Sequence, residues 1–80
     1  MDRLSELEKY GVCRVEKVLP CPAKERLEAL GVCPGAELVK LFTAPCGDPA
    51  AYLVKGAAVA IRRDDAARII IKRSAEWERK

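Results

Sequence analysis

A small antiparallel β-barrel with one short helix is the fold that this sequence predicts. Three observations point to it. The chain has 80 residues, enough for a single thin core and no more. It holds several short runs of alternating apolar and polar residues, separated by glycine and proline. Only one stretch, AKERLEAL (Ala23 to Leu30), is built mainly from good helix formers. A thin sheet of this length leaves edges unprotected unless it closes or half-closes on itself, which favours the barrel.

The opening MDRLSELEKYG reads as one helical turn or a short strand, broken at Tyr10-Gly11. VCRVEKVLP follows, with Val12, Val15, Val18 and Leu19 among polar residues, and reads as a first strand ended by Pro20. In the helix Ala23 to Leu30, Gly31 stands where a left-handed C-terminal cap is wanted, and Leu27 and Leu30 would share the buried face. Pro34-Gly35 is a turn signal, and Glu37 to Phe42 alternates as a second strand. Pro45 and Pro49 then bracket Cys46-Gly47-Asp48. Both prolines lack an amide donor and Gly47 accepts positive φ, so Pro45–Pro49 is expected to be a fixed loop with a rigid, exposed surface.

AAYLVKGAAVAIRR supplies two strands joined through Lys55-Gly56, a tight hairpin. Its alanines at 50, 51, 57, 58 and 60 suit strands packed closely in a small barrel or against a partner. Asp64 is the expected N-cap of a single turn, Asp65 to Arg68, before IIIK forms the last strand. SAEWERK, residues 74–80, reads as a polar tail whose Trp77 folds back or docks on another chain. Residues 1–73 thus form one domain, with no internal repeat and no linker.

Half the residues are hydrophobic, 34% are charged and the net charge is +3, the composition of an ordinary soluble domain. No apolar run approaches the roughly 20 residues of a membrane-spanning helix. The N-terminus lacks the basic-then-apolar layout of a secretory signal, so a cytoplasmic location is expected, compatible with a peripheral place at the inner face of the membrane. Lys55, Arg62, Arg63, Arg68, Lys72 and Arg73 crowd one region against Asp64 and Asp65. Without a basic helix or interleaved aromatics, this patch reads as a solvated face, and nucleic acid is not the expected partner.

The chain has no histidine, which excludes histidine-based triads, and no phosphate-cradling glycine loop. An enzyme is not expected. Cys13, Cys21, Cys33 and Cys46 are separated by seven, eleven and twelve residues, without a C-x-x-C pair. Closed zinc sites usually take two ligands from each of two tight turns, which this spacing does not supply. Cys21, Cys33 and Cys46 all lie beside prolines in loops that a small barrel could bring together, so a site for Fe²⁺ or Zn²⁺ stays open beside free thiols and disulfides. The cytosolic setting argues against the last.

RLEALGVCPGAEL (Arg26 to Leu38), APCGDP (Ala44 to Pro49) and KGAAVAIRRDDAARIII (Lys55 to Ile71) together resemble the FeoA family, small cytosolic accessories of the bacterial ferrous-iron transporter. The usual R-L-x-x-L-G-x-x-P-G pattern is met by Arg26, Leu27, Leu30, Gly31, Pro34 and Gly35. Pro45, Gly47, Asp48 and Pro49 meet its loop pattern. Gly56, Ala60, Arg62, Ala66 and Ile69 meet the last, with Ile61 in place of a leucine. The resemblance spans Leu4 to Lys72.

It implies an SH3-like barrel acting as a non-enzymatic regulator by protein contact with the GTP-binding membrane iron transporter. No cofactor is required on this reading. Arg26, Glu28, Pro45, Gly47, Asp48, Pro49 and Arg62 are the residues expected to meet the partner. The same barrel occurs as an appended domain in metal-dependent repressors. The cysteines lie outside the family pattern, and the resemblance implies no metal role for them; a cysteine-based metal sensor using Cys21, Cys33 and Cys46 is the alternative, from a different class. Self-association is left open.

Overall fold

The computed structural model describes residues 2–73. Six antiparallel strands, β1 (Asp2–Arg3), β2 (Val12–Val18), β3 (Glu37–Thr43), β4 (Ala50–Val54), β5 (Ala57–Ile61) and β6 (Ile69–Arg73), form one sheet in the order β1-β6-β2-β3-β4-β5. A 3₁₀ turn, Leu4–Glu6, follows β1. Helix α1 (Lys24–Ala29) links β2 to β3, and the single turn α2 (Arg63–Ala66) links β5 to β6. The two end strands do not pair, so the sheet is barrel-like but open. Register shifts at Val15/Lys17 and Lys40/Phe42 insert an extra residue and bend β2 and β3 around the core.

The mainly β architecture matches expectation, with a sixth strand added. Asp2 pairs with Ile71 and Arg3 with Ile70, so β6 is flanked on both sides and Ile69, Ile70 and Ile71 are all buried. Arg73 ties this end together. Its guanidinium donates to the carboxylates of Asp2 (3.1 Å) and Glu8 and to the Glu6 carbonyl (3.3 Å). A backbone hydrogen bond and then the Arg73 contact hold the Glu8 carboxyl below its usual range.

The core gathers Leu4, Leu7, Cys13, Val15, Leu27, Val32, Leu38, Tyr52, Val54, Ile61, Ile69 and Ile71. Leu30 is not among them. Helix α1 ends one residue earlier than expected, and Leu30 at its C-cap is 41% exposed. The Gly31 amide bonds the Glu28 carbonyl (3.1 Å) and the Val32 amide bonds the Leu27 carbonyl (2.9 Å). This double closure needs a left-handed residue, supplied by Gly31 at φ 103°. It turns the chain so that Val32 takes the buried place beside Leu27 that helical periodicity assigns to Leu30. The β4–β5 hairpin turns through Lys55 (φ 50°) and Gly56 (φ 84°), both left-handed as a two-residue turn of this kind requires.

Trp77 and the expected tail at 74–80 lie outside the described residues. No helix among those described is long and apolar enough to cross a membrane.

Candidate functional site

The loop between β3 and β4 is built as the sequence implies. The Gly47 amide bonds the Ala44 carbonyl (2.7 Å), and the Ala44 amide bonds the Pro49 carbonyl (2.9 Å). Gly47 has φ 97° and the Asp48–Pro49 bond is cis. The loop is also fastened to α2. Asp48 Oδ1 accepts the Arg63 amide at 2.8 Å, and Arg63 Nη2 donates to the Gly47 carbonyl at 3.2 Å.

The first amides of any helix have no intrahelical acceptor, and the N-cap here, Arg62, contributes no side-chain hydrogen bond. Asp48 fills that role from fifteen residues upstream. Asp64, the expected cap, instead sits inside the first turn of α2 with Asp65, where carboxylates are favoured by the exposed amides.

Two clefts flank α2. An open one of about 580 Å³ is lined by Cys21, Pro22, Ala23 and Arg26 on the α1 side, and by Arg62, Asp64, Asp65 and Arg68 on the other. A smaller one, about 170 Å³, includes Ser5, Lys40, Thr43, Gly47, Asp48 and Arg63. Arg26, Arg62 and Arg68 are exposed, and their guanidinium groups have no hydrogen-bond or ion-pair partner among the described residues. Three planar five-donor forks beside two carboxylates suit recognition of a polar protein surface, with carboxylates as the best-matched groups.

The basic patch read from the sequence is therefore thinned. Lys72 pairs with Glu16 (3.5 Å) and Arg73 with Asp2 and Glu8. Arg63 is turned to the loop. Lys55, Arg62 and Arg68 remain open.

Of the expected partner-contacting residues, Arg26 and Arg62 meet at the larger cleft, while Gly47 and Asp48 line the smaller one. Pro45 and Pro49 are exposed in the loop, and Glu28 is exposed on α1 outside both clefts. Arg68 and Arg63 were not singled out, although both lie in the same charged run as Arg62. The distinction between a free and an engaged arginine depends on contacts that composition does not carry.

Cys21, Cys33 and Cys46 do not converge. Cys21 lines the larger cleft, Cys33 Sγ lies 3.6 Å from the Gly31 carbonyl, and Cys46 Sγ lies 3.0 Å from the Asp48 carbonyl. No group of three metal-ligating side chains occurs among the described residues. All four thiols are free. Burial pushes the Cys13 thiol up to about 12, which keeps it neutral and a poor metal ligand.

A family model described as FeoA domain matches residues 3–73. Among solved structures, the FeoA protein from Chlorobium tepidum is 35% identical with a TM-score of 0.85, covering 91% of this chain and 70% of its own. Stenotrophomonas maltophilia FeoA, complexed with zinc and described as a procaryotic SH3 domain protein, is 27% identical with a TM-score of 0.80. It covers 90% of this chain and 91% of its own. The manganese regulator SloR, at 18% identity and TM-score 0.76, shares the fold over 34% of its length. No curated protein matches the sequence significantly. The open six-stranded sheet is thus SH3-like. The Stenotrophomonas protein is complexed with zinc, whereas no group of three or more metal-ligating side chains occurs among the described residues of this chain.

Proposed function

Because the chain belongs to the FeoA family, we propose that it is a non-enzymatic accessory of bacterial ferrous-iron uptake that acts by protein contact on the GTP-binding membrane iron transporter. Its place on this reading is the cytoplasm, at or near the inner face of the membrane. The Stenotrophomonas relative is described as a candidate ferrous iron transport activating factor, which supports the class of activity. The observation that carries the contact mode is the fastening of the Pro45–Pro49 loop to α2 by Asp48 and Arg63. It holds the loop firmly against α2, and the open guanidinium group of Arg62 lies at the start of the same turn, with Arg26 across the larger cleft. A surface already ordered loses little entropy on binding.

The test is an NMR titration of labelled protein with the transporter's isolated cytosolic domain, with and without GTP. Shifts clustered on residues 45–49, Arg26, Glu28 and Arg62 are the expected result. Shifts that leave residues 45–49, Arg26, Glu28 and Arg62 unmoved, or none at near-millimolar partner, refute this face as the contact.

A further inference from the structure

Strand β5 ends the sheet. Among the described residues it pairs with β4 on one side and with nothing on the other. In a two-residue hairpin turning through Lys55 and Gly56, the ladder bonds join Val54 to Ala57, Tyr52 to Val59 and Ala50 to Ile61. Ala58 and Ala60 therefore direct their N–H and C=O groups to the free side. No other element takes up these groups among the described residues.

Proteins normally blunt such an edge with lysine, proline or a bulge. Ala57–Ile61, with sequence AAVAI, has no charge and no proline, and β5 pairs without a register shift. Ala57, Ala58 and Ala60 are exposed, and their small side chains leave the edge open to approach. The outer face behind it is apolar as well. Registered rows run Val39–Leu53–Ala58 and Phe42–Ala51–Ala60, with Phe42 56% and Leu53 37% exposed.

The ends of the strand differ from its middle. Lys55 stands before it and Arg62 after it, both exposed and neither paired through its side chain among the described residues. Five uncharged residues between two open cations are complementary to a strand with an apolar centre and acidic ends.

We propose that β5 is a docking strand that receives an extended segment of a partner protein, with small or β-branched residues over its centre and a carboxylate near each end. This rests on the reading of the chain as a protein-contact module and adds the mode of contact and the chemistry of the segment. A second copy fits less well. Antiparallel self-pairing centred on Val59 brings the Lys55 end of each copy against the Arg62 end of the other, and like charges brought together across a strand pair destabilise it.

The test uses the full chain, isotope-labelled, with a capped peptide Glu-Val-Thr-Val-Thr-Val-Glu and its counterpart ending in lysines. The expected result is that the acidic peptide shifts the Ala58 and Ala60 amides and slows their exchange. The lysine-ended peptide should bind roughly five- to twentyfold more weakly at low salt. Ala60→Pro removes a donor on the free side while leaving the β4 ladder intact, as edge prolines do, and should abolish peptide binding. Should that variant fail to fold, the surface double variant Lys55→Glu/Arg62→Glu provides the second arm and should reverse the peptide preference.

No response of Ala58 and Ala60 to either peptide at millimolar concentration overturns the proposal, as does equal binding of both. A dimer in sedimentation that Ala60→Pro abolishes overturns the choice of occupant. Transporter-domain shifts at residues 45–49 without peptide binding overturn the docking strand and leave the transporter reading standing. Peptide binding at β5 with no response to the transporter domain does the reverse.

Discussion

Replacing Asp48 by alanine removes the acceptor of the Arg63 amide at 2.8 Å and the anchor between the loop and α2. Loss of a helix cap costs typically about 1 kcal/mol, and hydrogen bonds to charged groups reach about 1.5–3 kcal/mol. The site is exposed, so the lower part of that span applies and about 1–2 kcal/mol is expected. In a domain of this size each kcal/mol shifts the melting temperature by about 4–8 °C, so Asp48→Ala should melt roughly 5–15 °C lower.

Asp64→Ala should change stability by about 0.5 kcal/mol or less, because its carboxylate has no partner among the described residues. Asp48→Asn keeps an acceptor oxygen and should recover most of the loss. Thermal unfolding followed by circular dichroism measures all three. Equal losses for Asp48→Ala and Asp64→Ala, or an asparagine variant as unstable as the alanine one, refute the cross-loop cap.

Leu27→Ala, at a fully buried position, should lose about 2–5 kcal/mol in urea unfolding, whereas Leu30→Ala at 41% exposure should lose well under half of that. At high pH the folded state should weaken. Burial raises the Cys13 thiol from 9.0 to about 12 and the Tyr52 hydroxyl from 10.0 to about 12, so above pH 9 the unfolded chain releases protons that the folded chain keeps. Stability is then full below pH 9 and falls by about 1 kcal/mol per pH unit for Cys13 as pH rises toward 12; Cys13→Ala should flatten that limb between pH 9 and 10. Brief alkylation of the native protein at pH 8 should label the exposed Cys46 first and Cys13 last, read by peptide mass spectrometry. Labelling of Cys13 at the rate of Cys46 counts against the packed core.

The alternation in VCRVEKV, the Lys55-Gly56 turn and the triple isoleucine are local signals, and each produced the element expected of it. Gly31 was legible for the same reason, since a left-handed cap is a property of one residue in its place. Its consequence was not legible. Whether Leu30 or Val32 fills the space beside Leu27 depends on the path that the chain takes after the cap. The loop around Asp48 was also recognisable as rigid from its two prolines and Gly47, whereas which arginines stay open was not.

The sequence by itself determined the strand-rich fold, the hairpin, the helix between the first two long strands and the absence of histidine chemistry. These follow from residue spacing and backbone preference over a few positions. Only the tertiary structure decided that Asp48 caps α2 in place of Asp64, that Arg73 and Lys72 are engaged while Arg26, Arg62 and Arg68 stay open among the described residues, that the loop cysteines lie apart, and that no described strand covers the outer edge of β5. Each of those outcomes joins residues far apart in the chain. Hydrogen bonds and ion pairs form between neighbours in space, and it is the closing of the sheet that selects the neighbours.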